Sequence, residues 1–380
     1  LPHAPMEYLI YRGKIRKILS GSERIVMDFG YFCLIKSIKM ENTNLQTAQI
    51  RYKHKVSVVI LNWNGEGFLK KYLPALVENT PQYAEIVVAD NGSTDNSVEW
   101  IRQNYTAEQV RLILFDKNYG FTGGYNRAFK ETDCEYFMLL NSDIRIEKGW
   151  LEPMVEFMDS HPNVGVVQPK VLAEYRPEYF EYAGAAGGLL DVWGFPYCYG
   201  RLMNKVEKDN GQYNASRQIF WATGAAMCVR SDIYGRLGGL DEQFFAHMEE
   251  IDFCWRTQIA GYEVWSVPQA VVYHVGGGTL PQTSPFKLYL NYRNNLLMLY
   301  KNYPHSTRGL LLFWRKCLDG LCACVYILQG KGSYVKSVWK AHRDFAKMKR
   351  AYPKDKSLEP AKKAIKKRLR GSVFLKKLFG

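Results

Sequence analysis

The sequence predicts an α/β protein built on a doubly wound, mostly parallel sheet with helices on both faces, followed by a C-terminal helical region. Three observations predict it. Short β-branched runs recur near Val56, Glu85 and Tyr136, amphipathic stretches separate them, and the text after Pro285 reads as helix almost to the end. With 380 residues and 47% hydrophobic content, the chain can bury a large core and lies outside the disordered class.

The first strand is Val56 to Leu61, closed by Asn62-Trp63-Asn64-Gly65 and followed by an apolar-periodic helix from Phe68 to Val77. Glu85 to Ala89 is the second strand; Asp90-Asn91-Gly92-Ser93-Thr94-Asp95 then leads into a helix through Val98, Trp100 and Ile101. Arg111 to Phe115 and Tyr136 to Leu140 are two further strands, with a helix from Gly123 to Lys130 between them. Strands apolar on both faces and alternating with helices belong to a parallel sheet, whose ligands sit beyond the strand carboxyl ends. From Val164 to Arg236 the glycine and aromatic content predicts long loops and short strands. A loop at Gly239 then turns helical, with Ile251, Trp255 and Ile259 on one face, and Val264 to His274 returns to strand. Breaks near Gly330 and Pro353 divide the terminal helices.

The net charge of +14 belongs to the ends. Residues 331–380 carry 17 Lys and Arg against 3 Asp and Glu, whereas residues 56–330 carry 24 basic and 30 acidic residues, a net of −6. The body therefore does not grip its ligand through an overall positive field, and no nucleic-acid motif accompanies the basic tail. The eight cysteines form no C-x-x-C pair and stand among apolar neighbours, as reduced core thiols do. No segment reaches 18 uninterrupted apolar residues and no secretory signal pattern opens the chain, so a cytoplasmic location is expected.

Each candidate motif has a chemical and a plainer reading. Asp90 at a strand end could hydrogen-bond a pyrimidine base, or it could cap the next helix together with its Asn, Ser and Thr neighbours. Asn118 to Asn126, with Gly120, Gly123 and Gly124, could let backbone approach a nucleotide near a helix N-terminus, although the spacing is not G-x-G-x-x-G and such glycines are commonly structural. Asn141 and Asp143 put two oxygen ligands at the end of a buried strand, suited to Mg²⁺ or Mn²⁺ against a diphosphate or to an ordinary Asx turn. Glu249, Glu250 and Asp252 crowd three carboxylates at a helix entrance, where like charges raise one pKa and suit a proton acceptor; a solvated acidic first turn is the competing account. His274 ends a strand ahead of Gly276 to Thr279 and could ligate a metal or serve structure alone.

In this order along one chain, the motifs resemble the family-2 glycosyltransferases of GT-A fold, particularly the rhamnosyltransferase-like branch, over roughly Lys55 to Tyr300. The resemblance implies that Asn62 and Asp90 contact the donor nucleoside, and that Asn118, Gly123 and Gly124 line the nucleotide pocket. It places Asn141 and Asp143 at the metal motif, where Asn replaces the usual first Asp, and His274 at the downstream metal-contacting position. The base falls in the Glu249–Glu250 pair, at Glu250 by position, with Asp252 beside it. Trp221, Thr223 and Gly224 match the stretch bordering donor sugar and acceptor.

The implied reaction is inverting transfer of a sugar, rhamnose by family branch, from a nucleotide-diphosphate donor to a glycan or polyprenyl-linked hydroxyl in surface polysaccharide synthesis. Nucleotidyl transfer and a catalytically silent carbohydrate- or membrane-binding scaffold are the alternatives. The expected organisation is an extension at 1–54, flexible or upstream of the native product, and a catalytic domain at 55–300, its nucleotide half at 55–145 and acceptor half at 146–300. A basic amphipathic helical tail at 301–380 follows, in which Trp339, Phe345, Phe374, Leu375, Leu378 and Phe379 stand among cations. That composition suits peripheral association with the inner face of a membrane, or a helical bundle packed on the catalytic domain.

Overall fold

The computed structural model describes residues 8–11, 14–17, 52–276, 284–352, 355–369 and 371–373. Most of the expected extension, the glycines after Gly276, and the aromatic residues from Phe374 onward lie outside the described residues. The chain divides into two compact units, Leu1–Ile50 and Arg51–Gly380. In the first, β1 (Tyr8–Tyr11) pairs antiparallel with β2 (Lys14–Lys17).

The second unit opens with the alternation read from sequence: β3 (His54–Asn62), α1 (Glu66–Asn79), β4 (Ala84–Asp90), α2 (Ser97–Asn104), β5 (Arg111–Leu114), α3 (Gly120–Lys130) and β6 (Cys134–Leu140). Side chains alternate across a strand, so Val58 and Ile60 enter one hydrophobic cluster while Val59 enters the other, on the opposite sheet face. Both faces need helices, which is why the β-branched runs are continuously apolar.

Then follow β7 (Ile144–Ile146), α4 (Glu152–Ser160), β8 (Val164–Ala173), β9 (Arg176–Phe180), the short strands β10 (Gly188–Leu190), β11 (Pro196–Cys198), β12 (Arg201–Leu202), β13 (Lys205–Val206) and β14 (Arg217–Gln218), and β15 (Ala226–Arg230). Next come α5 (Ser231–Arg236), α6 (Glu249–Ile259), β16 (Glu263–His274), α7 (Pro285–Asn302), α8 (His305–Leu328), α9 (Gly332–Met348) and α10 (Glu359–Lys366). The principal sheet runs β14-β16-β8-β15-β6-β3-β4-β5. β5, β4, β3 and β6 are mutually parallel; β15 enters antiparallel between β6 and β8; β16 is parallel to β8.

One expectation for Val164 to Arg236 is corrected. β8 is a ten-residue strand near the centre of the sheet, buried along nearly its whole length. Its Val-rich run is a strand signal in its own right, overshadowed in composition by the glycines and aromatics that follow. Those later residues do form short strands, arranged as a small sheet β10-β11-β12-β13.

The terminal helices pack onto the sheet unit. Arg368 donates to Gln258 Oε1 of α6 at 2.6 Å, Lys362 Nζ donates to Lys301 O at 2.6 Å, and Val373 N donates to the buried Asp191 at 3.0 Å. The break after α7 falls at Pro304 and the next between Leu328 and Gly332.

Candidate active site

Topology brings the scattered motifs to one edge. Asn62 and Asp90 are register partners at the carboxyl ends of β3 and β4, and Ile60 pairs with Leu140 at the end of β6. Because β15 is antiparallel to β6, its start at Ala226 lies opposite Leu140, so Thr223 and Gly224 arrive at the same edge. β16 closes the set: His274 pairs with Ile144, immediately after Asp143.

On the nucleotide side, the Asn62 amide donates to Asp90 Oδ1 at 3.0 Å and to Ser97 Oγ at 3.0 Å. Ser93 N donates to the other Asp90 oxygen at 2.9 Å, so Asp90 closes an Asx-type turn and does not cap α2, whose N-cap is Asn96. Asn91, which the sequence reading passed over, donates to Asn118 Oδ1 at 3.0 Å and accepts from Tyr119 N at 2.9 Å, tying the two strand-end loops together. Its signal was its place inside the Asp90 to Asp95 turn. Gly123 and Gly124 are both buried within α3, which begins at Gly120, ahead of the helix start expected at Gly123. A Cβ on Gly124 would stand 2.5 Å from Leu61, so its small size lets α3 approach β3 closely.

Asp143 Oδ1 and His274 Nε2 lie 3.2 Å apart, and Glu181 Oε2 stands 3.4 Å from the other imidazole nitrogen. All three side chains are buried. Burial works against charge on His274, yet the two flanking carboxylates outweigh it and hold its pKa up at about 10. Two cis ligands bound to one Mg²⁺ at about 2.1 Å lie roughly 3.0 Å apart, close to the Asp143–His274 spacing, so a hard cation could be shared there once it displaced the imidazolium proton. Among the described residues no group of three or more His, Cys, Asp or Glu side chains is arranged to hold a metal ion. Glu181 faces the opposite nitrogen from Asp143, so only Asp143 and His274 would be placed to share such a cation. Nothing in the sequence near Glu181 marks it.

Asn141 N donates to Ala225 O at 2.9 Å, and a Cβ on the adjacent Gly224 would lie 3.6 Å from Glu250 Cβ. The Asn141 to Asp143 segment, the Trp221 to Gly224 stretch and the start of α6 are thereby contiguous. Thr223 Oγ1 donates to Ala183 O at 2.8 Å and Trp221 Nε1 to Leu189 O at 2.9 Å, which fixes that stretch. Burial pushes the Glu250 carboxyl up to about 7, and burial together with the neighbouring Glu250 charge pushes Glu249 well above the usual range. Solvation of this first turn is therefore not what is found.

Asp252 is a correction. Its side chain is fully buried, accepts from Arg256 at 2.8 Å, Lys301 at 2.9 Å and Asn302 at 2.8 Å, and so has no free edge for an acceptor proton. Burial opposes its ionisation, but Lys301 and Arg256 prevail and hold it below the ordinary carboxylate range. Arg256 is one turn along the same helix, whereas Lys301 and Asn302 lie 49 and 50 positions along the chain, beyond the reach of local pattern.

Among the described residues, Asn62, Glu249 and Glu250 each hold a buried side-chain oxygen without a hydrogen-bond partner. Such atoms are costly to leave unpaired, and a bound ligand is one means of pairing them.

Comparison with known proteins gives the chain its relatives. Residues 57–222 match the model of Glycosyl transferase family 2. The N-acetylglucosaminyl-diphospho-decaprenol L-rhamnosyltransferase of Mycobacterium tuberculosis is 25% identical over 57% of this chain and 75% of its own length. The low-salt glycan biosynthesis hexosyltransferase Agl10 of Haloferax volcanii is 25% identical over 64% and 74%. The dTDP-rhamnosyl transferase RfbF of Shigella flexneri is 23% identical over 65% and 81%. The crystal structure of GalNAc-T7 with UDP, GalNAc and Mn²⁺ shares the fold, with a TM-score of 0.52 over 66% of this chain and 48% of that one at 14% identity. The architecture is the GT-A one, and residues 57–222 are similar to the family-2 glycosyltransferases, with rhamnosyltransferases among the relatives.

Proposed function

We propose that the chain transfers a deoxyhexose, rhamnose by kinship, from a deoxythymidine-diphosphate donor to a hydroxyl of a glycan or polyprenyl-linked acceptor, with inversion at the anomeric carbon. Sugar transfer is the family's reaction; nucleotidyl transfer and a silent scaffold are not favoured by the family match. The observation that carries the mechanism is the junction of the Asp143–His274 pair with the entrance of α6 through Asn141, Ala225 and Gly224.

In this reading Asn62, Asp90 and Asn118 border the nucleoside, and Trp221, Thr223 and Gly224 border the sugar and acceptor. Gly123 and Gly124 act behind them by seating α3. Asp143 and His274 would hold Mg²⁺ or Mn²⁺, which when bound supplies positive charge against the diphosphate leaving group. Glu250 accepts the acceptor's proton, since a carboxylate whose pKa is raised toward neutrality is well matched to that task. One base facing one leaving group is the arrangement of a single in-line displacement, which inverts.

Membrane contact belongs to the same proposal. No helix among the described residues is long and apolar enough to cross a membrane. On α8, however, Leu310, Phe313, Trp314, Leu321, Val325 and Leu328 are all exposed, and their spacing gathers them on one side of the helix. The neighbouring α9 exposes Lys336, Trp339, Lys340, Arg343 and Lys347. An apolar stripe beside exposed cations suits the interface of an anionic bilayer, where a polyprenyl-linked acceptor resides.

A panel of nucleotide sugars, incubated with the purified chain and membrane extract with Mg²⁺, Mn²⁺ or EDTA, tests the reading. Metal-dependent diphosphate release with dTDP-rhamnose is expected. Release equally fast in EDTA would remove the metal, and turnover of a different sugar alone would remove rhamnose.

A further inference from the structure

The segment that delivers Glu250 is conformationally strained. Phe245 has φ 66° and ψ −57°, and Ala246 N donates to Phe244 O at 2.8 Å, which makes a γ-turn of the rare hand. His247 and Met248 also take positive φ, at 69° and 72°, where bulky side chains are disfavoured. Strain of this kind persists only where surrounding structure enforces it.

The enforcement comes from α7. The fully buried Asn294 amide nitrogen shares its two N–H groups among Phe244 O at 2.9 Å, Ala246 O at 2.8 Å and His247 O at 2.7 Å. Arg293 donates to Gln243 O at 3.1 Å and Phe244 O at 2.9 Å, and its Nε holds Asn294 Oδ1 at 2.8 Å. From the other side, Phe121 N in the first turn of α3 donates to Phe245 O at 3.0 Å, and Gly120 leaves room for the Phe245 ring. The turn is thus pinned between α7 and the helix that follows Asn118.

We infer that Asn294, aided by Arg293, is a positioning residue that clamps the strained turn at Phe244–Ala246 and thereby sets the aim of Glu250 relative to the nucleotide-side loop. This rests on the reading of Glu250 as the base. Neither residue need touch substrate; a misplacement of the base by an ångström is enough to cost about 100-fold in rate.

The test compares wild type, Asn294→Ala, Asn294→Ala with Phe245→Gly, Arg293→Lys and Glu250→Gln, with the donor selected by the panel above and membrane extract as acceptor. Asn294→Ala is expected to lower kcat by about 100-fold while the donor KM and the Kd for dTDP alone stay unchanged. Hydrogen–deuterium exchange should rise in residues 244–250 and not in β3, β4 or β6. Glycine accepts positive φ, so Phe245→Gly should restore part of the lost kcat in the Asn294→Ala background, a rescue that a general packing defect would not show. Wild-type kcat in Asn294→Ala, or exchange rising evenly across the sheet with no rescue, overturns the clamp. If Asn294→Ala does not fold, Arg293→Lys decides: it keeps the charge and loses the planar fork, and unchanged kcat with unchanged exchange at 244–250 overturns the proposal. Glu250→Gln separates the two claims. Full transfer by that variant removes the base reading whatever Asn294 does, whereas a silent Glu250→Gln beside a normal Asn294→Ala removes only the clamp.

Discussion

Glu250 and Asp252 are two residues apart on one helix turn, and their surroundings send them to opposite tasks. Glu250 is desolvated without a cation, so its pKa rises to about 7; Asp252 is held low by Lys301 and Arg256. A base must be ionised to accept a proton, so kcat/KM should fall as pH drops through about 7; a pH–rate profile flat down to 5 would contradict this. Asp252→Asn should instead cost stability. It leaves two cations beside a neutral amide in a buried site, worth about 3–5 kcal/mol in a urea unfolding curve, while transfer per folded molecule persists. Local text exposed Asp143, Glu250 and His274 because each sits at an element end within a recognisable run. It did not separate Asp252 from Glu250, nor show Glu181, because the partners that define them come from distant strands and helices.

The strands and helices up to β6 were legible because hydrophobic period and turn chemistry agree there. The Val-rich signal of β8 was overshadowed by the glycines and aromatics after it, and its central place depends on β15 and β16, which later sequence supplies. The glycines show the same division between local and tertiary cause. Gly92 has φ 74°, and a Cβ there would stand 2.6 Å from the Lys117 backbone, where β4's loop meets β5's. Gly92→Ala should therefore destabilise by about 1–3 kcal/mol, through strain and a clash with backbone that cannot rotate away. It should also weaken dTDP binding, because Asn91 no longer ties that turn to Asn118. An unchanged unfolding midpoint and unchanged dTDP affinity would show that the two loops have room to part.

As a whole molecule, the chain concentrates acidic chemistry in its body and basic charge at its ends, and the fold keeps the two apart in sequence while packing α10 against α6. On the proposed reading, the basic helices face lipid. Phe313→Ser with Leu321→Lys should reduce co-sedimentation with vesicles containing phosphatidylglycerol by about tenfold, the scale of one or two lost interfacial contacts, without altering dTDP affinity. Wild-type binding should weaken with added salt. Binding unaffected by both changes would place the lipid contact elsewhere.

The central claim is that Glu250 removes the acceptor proton in a cleft shared with Asp143 and His274. Single-turnover sugar transfer by Glu250→Gln tests it most directly, measured on the donor that wild type accepts and with dTDP affinity determined on the same preparation. The account predicts a loss of at least about 100-fold in the rate with affinity unchanged, as expected on removing a general base. Transfer at the wild-type rate would contradict it.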